Sequence, residues 1–224
     1  MNSMIKHLVR KDWQINRTMM VIYIGAMLIA NLMLLADPNN IVFGIGVILI
    51  FTILFILCIH LTTSNVISEY SQKTLTFIMS LPVSARHYAI AKLTANLSMF
   101  CVPWLMALVS SWLIILTRDT LPDGLTALVS LGLVEILLSY CLIMMLGIVT
   151  ESQHGAIAAM AIANLGFQGF LWGMLKIPAI AQHRNSNELA WNSTELSILA
   201  LQLVVIIGLL GTTLLIQQRK TNFI

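Results

Sequence analysis

The sequence predicts an all-α membrane protein, six transmembrane helices in a single domain over residues 1–224. Three observations predict it. Of the 224 residues, 58% are hydrophobic and 9% charged, whereas a soluble domain carries about 25% charged residues. The apolar residues gather into six runs, each close to the ~20 residues a helix needs to cross hydrocarbon. Lys and Arg are unevenly shared between the breaks that separate those runs.

The spans are expected at 18–36, 41–64, 92–117, 124–150, 155–177 and 196–217. Asp37-Pro-Asn-Asn40, Arg118–Gly124 and Glu151–Gly155 read as turns, because Pro, Gly, Asn and Asp punctuate chains there. With the N-terminus inside, Lys6, Arg10, Lys11, Arg17, Lys73, Arg86, Lys92, Arg219 and Lys220 face the cytoplasm. Arg118, Lys176 and Arg184 face outward. Nine against three follows the positive-inside rule and puts both termini in the cytoplasm, as an even number of spans requires. The first apolar run is about the length of a full span and lacks a clear small-residue cleavage site, so it is read as a retained span and not a signal peptide.

Residues 4–17 are expected to form a separate amphipathic helix. Ile5, Leu8, Val9 and Trp13 recur at helical spacing, opposite Lys6, Arg10, Gln14 and Arg17. Such a basic helix beside a span lies in the interface plane, a depth that suits an indole. It serves either as a simple anchor or as an elbow that meets a partner. Asp12 breaks the apolar arc, so it pairs with a cation or faces protein.

The loop 69–92 is the longest break. Leu75, Ile78 and Met79 share a helical face, with Lys73, Thr74, Thr76 and Ser80 around them. Pro82 drives Leu81 out of helical geometry, and Ser84 is placed to cap the next helix. A short amphipathic helix and a sharp corner follow. So short a helix needs packing to persist, from lipid headgroups or from a protein groove.

No Gly-rich phosphate loop ending in Gly-Lys-Ser/Thr, no His-Glu-x-x-His and no Gly-x-Ser-x-Gly occurs in the chain, which argues against an enzyme. Glu151 and His154 supply only two ligand types in a polar turn. His60 reads as a packed or interfacial histidine more readily than as a proton relay. Cys58, Cys101 and Cys141 fall in apolar runs and read as packing residues.

Glu69, Lys73-Thr-Leu75, Phe77, Ser80-Leu-Pro-Val-Ser84, Arg86 and Lys92, with Lys11-Asp12 in the basic N-terminal helix, resemble the corresponding segments of ABC type-2 transporter permeases, the membrane subunits of bacterial exporters. Ala85 stands where that pattern has its arginine directly after the serine. The resemblance implies an elbow helix over 4–17 and a coupling helix near Thr74–Ser80 that seats in a groove of a separate ATP-binding subunit. It implies that Glu69, Lys73, Thr74, Leu75, Phe77, Ile78, Met79 and Arg86 carry the coupling, and that Glu151 and His154 form a smaller contact. It further implies a second permease subunit, identical or paralogous, in a bacterial cytoplasmic membrane. The chain itself would hold no cofactor; ATP and Mg would sit on the partner. No nucleic-acid partner is expected. The cargo, by analogy, is a peptide or antibiotic-like compound.

Within the spans, Glu135 lies near mid-depth, where an ionisable group costs about 2.5–3.5 kcal/mol on insertion scales. It either lines a pathway or is a hydrogen-bonded structural carboxyl. Asn164 and Gln168 share a face of the fifth span, and Ala159, Ala163, Gly169 and Gly173 permit close helix approach. That span is the expected pathway wall or subunit interface. Pro103 is expected to kink the third span. Residues 178–195 are expected to form an extracellular cap, with Asn192-Ser-Thr194 matching a glycosylation sequon. Competing readings are a secondary transporter or channel, and a membrane sensor that docks a soluble partner.

Overall fold

A computed structural model describes the chain over residues 2–71, 85–150 and 152–219. The helices are α1 (Asn2–Met33), α2 (Ile41–Thr62), α3 (Ser68–Ser71), α4 (Ala85–Thr117), α5 (Leu125–Thr150), α6 (Gln153–Lys176), α7 (Pro178–His183) and α8 (Ser193–Arg219). A π-helical turn, Thr63–Ile67, joins α2 to α3. There is no strand among the described residues. Six helices are long and apolar enough to cross a membrane, so the chain is a multi-pass membrane protein.

The expected separate elbow does not form. Residues 4–17 and the first span make one continuous helix of 32 residues, because neither Gly nor Pro interrupts Gln14–Met20. One buried stripe runs its length: Asp12, Asn16, Met20, Met27 and Ala30, spaced as successive turns of one face demand. The stripe is polar near the N-terminus and apolar beyond it. Trp13 is half-buried, and its indole N–H donates to Ser98 Oγ of α4 at 3.0 Å.

α5 is the hub. Its most apolar stretch is 61% buried, against 17% for α8 and 22% for α6. α1 packs on α2 and α4, while α6 and α8 pack on α5. The core joins Leu54, Leu57 and Leu61 of α2 to Phe100 of α4 and Ile136 and Tyr140 of α5. The rings of Phe100 and Tyr140 lie 4.4 Å apart. Two indoles lock α4 to α5: Trp104 Nε1–H donates to Leu133 C=O at 2.7 Å and Trp112 Nε1–H to Ser130 Oγ at 2.8 Å. α4 remains helical through Pro103. Cys58 and Cys141 are buried and free, Cys101 half-buried and free, in keeping with packing roles. His60 is half-buried against the Tyr23 ring, 5.7 Å between centroids.

The end far from the N-terminus is closed by polar ties between turns. Arg118 donates to the carbonyls of Leu35 and Ala36, which the end of α1 leaves without helical partners. Gly124 N–H donates to Ser186 C=O at 3.0 Å. The segment 178–195 holds a helix, α7, that opens on Pro178 at its first turn, where a missing N–H costs nothing. His183 then lies with Nδ1 2.8 Å from Glu195 Oε1, and its Nε2–H donates to Glu188 C=O at 3.0 Å. Asn192 and Glu195 cap α8 reciprocally, Glu195 N–H to Asn192 Oδ1 at 2.9 Å and Asn192 N–H to Glu195 Oε2 at 3.0 Å. The sequon asparagine is therefore committed to a helix cap.

Candidate functional site

The N-terminal end of the bundle holds a buried charge cluster. Lys92 of α4, Asp12 of α1 and Glu69 of α3 are 2%, 2% and 7% exposed. Lys92 Nζ donates to Asp12 Oδ1 and Oδ2 at 3.1 and 2.8 Å, and to Glu69 Oε1 at 2.9 Å. All its N–H donors are matched by carboxylate oxygens. Lys11 Nζ, at the rim, donates to Glu69 Oε1 at 2.7 Å. Tyr88 O–H donates to Glu69 Oε2 at 2.8 Å, and its ring lies beneath the Lys92 ammonium, 5.8 Å to the centroid. Among the described residues, two cations face two carboxylates, so each buried charge has a partner of opposite sign, as burial requires.

Each member arrives for a local reason. The stripe on α1 turns Asp12 inward. Tyr88 and Lys92 are four residues apart on α4 and share its face. Glu69 follows the π-helical turn, where the chain re-phases relative to α2. Such turns recur at functional sites, and this one buries Asn65, Val66 and Ile67.

A chain of side-chain amides continues from the cluster. Asn16 Nδ2 donates to Asp12 C=O at 2.8 Å and to Asn65 Oδ1 at 2.7 Å. Asn65 Nδ2 donates to Asn96 Oδ1 at 2.8 Å, and Asn96 Nδ2 to Lys92 C=O at 2.9 Å. Ser64 Oγ–H closes the set on Asn16 Oδ1 at 3.0 Å. These amides come from α1, the π turn and α4, so three chain segments share one network. Buried polar networks of this kind fix a unique arrangement when satisfied.

Burial by itself would raise the Glu69 carboxyl. The Lys92 charge and hydrogen bonds from Lys11, Lys92 and Tyr88 outweigh it and hold the group below its ordinary value of 4.5. A depressed carboxyl binds fewer protons folded than unfolded. Its stabilisation is complete above the ordinary value and is lost as pH falls through the folded one. Thermal melting followed from pH 7 downward is therefore expected to stay flat until near 4.5 and to drop below it. In Glu69→Gln that acid-side drop should shrink, and an equal drop in both proteins would refute the assignment.

Of the residues singled out from sequence, Glu69 is at the centre of the cluster. Lys73, Thr74, Leu75, Phe77, Ile78, Met79 and Glu151 lie outside the described residues, as does the Arg86 side chain. His154 is exposed in the first turn of α6, after Ser152, whose Oγ accepts from Gly155 N–H at 3.4 Å. Glu135 is elsewhere: half-buried on α5, it accepts from Gln202 Nε2 of α8 at 2.8 Å. Asn164 and Gln168 are exposed on α6, and a Cβ added at Gly169 or Gly173 would meet nothing within 4 Å. Sequence reasoning missed Tyr88 and the Asn16–Asn65–Asn96 chain. The available signal was three amides within apolar helices. No group of three or more metal-ligating side chains occurs among the described residues.

No family model, curated protein or solved structure matches the chain.

Proposed function

We propose that the chain is the membrane permease subunit of an ATP-driven ABC exporter, with both termini in the cytoplasm. The observation that carries this reading is the Asp12–Lys92–Glu69 cluster. Glu69 and Lys92 bracket the central loop, and their shared bridge to Asp12 fastens both ends of the loop to the N-terminal helix. A load applied to the loop by an ATP-binding subunit would pass through charged contacts into α1, α2 and α4 together. An anchor without transport has no need of such bracing. A second permease subunit would cover the outward face of α6, where Asn164 and Gln168 otherwise meet hydrocarbon and the open Gly169 and Gly173 allow close approach, as packed membrane helices favour. ATP and Mg belong to the partner in this reading, and the cargo class is peptide or antibiotic-like.

The test is a mild-detergent pull-down of the tagged chain, with co-purifying proteins assayed for ATP hydrolysis. An ATPase that is captured by the native chain and lost with Ile78→Asp supports the proposal. Glu69→Ala is expected to retain the ATPase yet release hydrolysis from export. Absence of any ATPase after in-membrane crosslinking, or normal export by both variants, overturns it.

A further inference from the structure

The end of the bundle that buries the charge cluster also carries cations that face outward. Lys6, Arg10 and Arg17 are exposed on α1, and none of them makes an ion pair among the described residues. They are spaced by four and then seven residues, so they fall on one stripe of the helix. The stripe continues at the same spacing through Val21, Leu28 and Leu32, which are 66, 52 and 65% exposed. Because α1 is unbroken from Asn2 to Met33, one line of side chains passes from basic to alkyl. Among the described residues no exposed carboxylate offsets its basic half. Asp12 and Glu69 are buried and bridged to lysines, and the exposed Asp37, Asp119 and Glu188 lie in turns at the opposite end.

We propose that this stripe of α1 seats an anionic phospholipid of the surrounding bilayer, its headgroup at Arg17 and its acyl chain along Val21, Leu28 and Leu32. The dimensions agree. Val21 and Leu32 are eleven residues apart, about 16 Å along a helix, and one leaflet of hydrocarbon is about 15 Å deep. Arg17 stands about 6 Å outside Val21, within the headgroup layer, where a guanidinium can take a phosphate bidentately. Arg10 and Lys6 stand about 10 and 16 Å beyond Arg17. They act through the negative potential above the headgroups, which fades over a Debye length of about 8 Å. The net charge of the lipid matters for that reason. Phosphatidylcholine offers the same phosphate, but with a quaternary ammonium that Arg10 repels; an anionic lipid has none. An acidic protein surface would suit the basic half alone, whereas an anionic phospholipid matches both halves of the stripe. The site goes beyond the permease reading, because it depends on neither an ATPase nor the central loop.

The experiment is native mass spectrometry of the full-length chain, purified in mild detergent and equilibrated with equal amounts of phosphatidylglycerol and phosphatidylcholine. The native chain should retain phosphatidylglycerol in excess. Arg17→Gln should cut that excess about fivefold, the usual worth of one cation at an anionic surface. Arg10→Gln and Lys6→Gln should cut it less, in that order, and the triple variant should retain the two lipids equally. Arg17→Lys keeps the charge and should keep most of the excess. All three side chains are exposed, so these variants should fold as the native chain does. Lys176→Gln removes an exposed cation at the far end of α6 and controls for net charge. Equal retention of both lipids by the native chain, an excess that survives the triple variant, or an equal loss in Lys176→Gln overturns the proposal.

Discussion

Lys92→Met is expected to destabilise the protein by about 3–5 kcal/mol, the usual consequence of removing one partner from a buried ion cluster. Lys92 is 2% exposed and satisfies oxygens on both Asp12 and Glu69. Without it, the nearest cation to Asp12 among the described residues is Lys11, at 4.0 Å, which already serves Glu69. Methionine replaces the volume of the stem but none of the charge. The double variant Asp12→Asn/Lys92→Met removes one charge of each sign and should recover a large part of the loss. Neutral, well-packed replacements of buried pairs are tolerated far better than broken ones. Thermal unfolding of the detergent-purified proteins, read as a double-mutant cycle, measures this. A Lys92→Met protein that melts with the native one, or a double variant no better than the single, would show that the cluster does not hold these helices together.

The same residues show what the sequence could and could not tell. Six spans were legible because each is a run of apolar side chains whose register needs no partner to define it. Asp12 was legible as an anomaly: a carboxylate inside an apolar helical arc must find a cation or protein. Its partner was not legible, because Lys92 lies 80 positions away and reads equally well as a basic residue at a membrane boundary. The amide chain was hidden for the same reason, with Asn16 and Asn65 separated by 49 positions and Asn65 and Asn96 by 31. The expected elbow failed on a local point. Amphipathicity specifies that one face is buried, and Trp13 and Asp12 satisfy that requirement against α4 as well as a membrane surface would. The short helix α7 was missed because its pattern is set by docking. Its His183 pairs with Glu195 across a tight return of the chain, and no periodicity signals such a contact.

Gly124→Ala should cost about 3 kcal/mol, the upper part of the overpacking range, for a single added methyl group. A Cβ at this position would stand 1.9 Å from the carbonyl oxygen of His183, 2.9 Å from its carbon and 3.2 Å from Ser186 O. Those atoms are main chain, so no rotamer change relieves the overlap; one of the two backbones must move. The move would stretch the Gly124 N–H to Ser186 C=O bond of 3.0 Å and disturb His183, whose ring is held by Glu195 and the Glu188 carbonyl. The cap segment 184–192 should therefore loosen from the bundle while the charge cluster at the opposite end keeps its geometry. Gly208→Ala, on α8, is the natural control. Nothing lies within 4 Å of its added Cβ, so its effect should remain within about 0.5 kcal/mol. Hydrogen exchange resolves the two ends of the molecule. Faster exchange confined to 178–195 in Gly124→Ala, with Asn65 and Asn96 still protected, would show that glycine is required there to let two backbones touch. Unchanged exchange and melting would mean that the turn and the cap do not meet as closely as 1.9 Å implies.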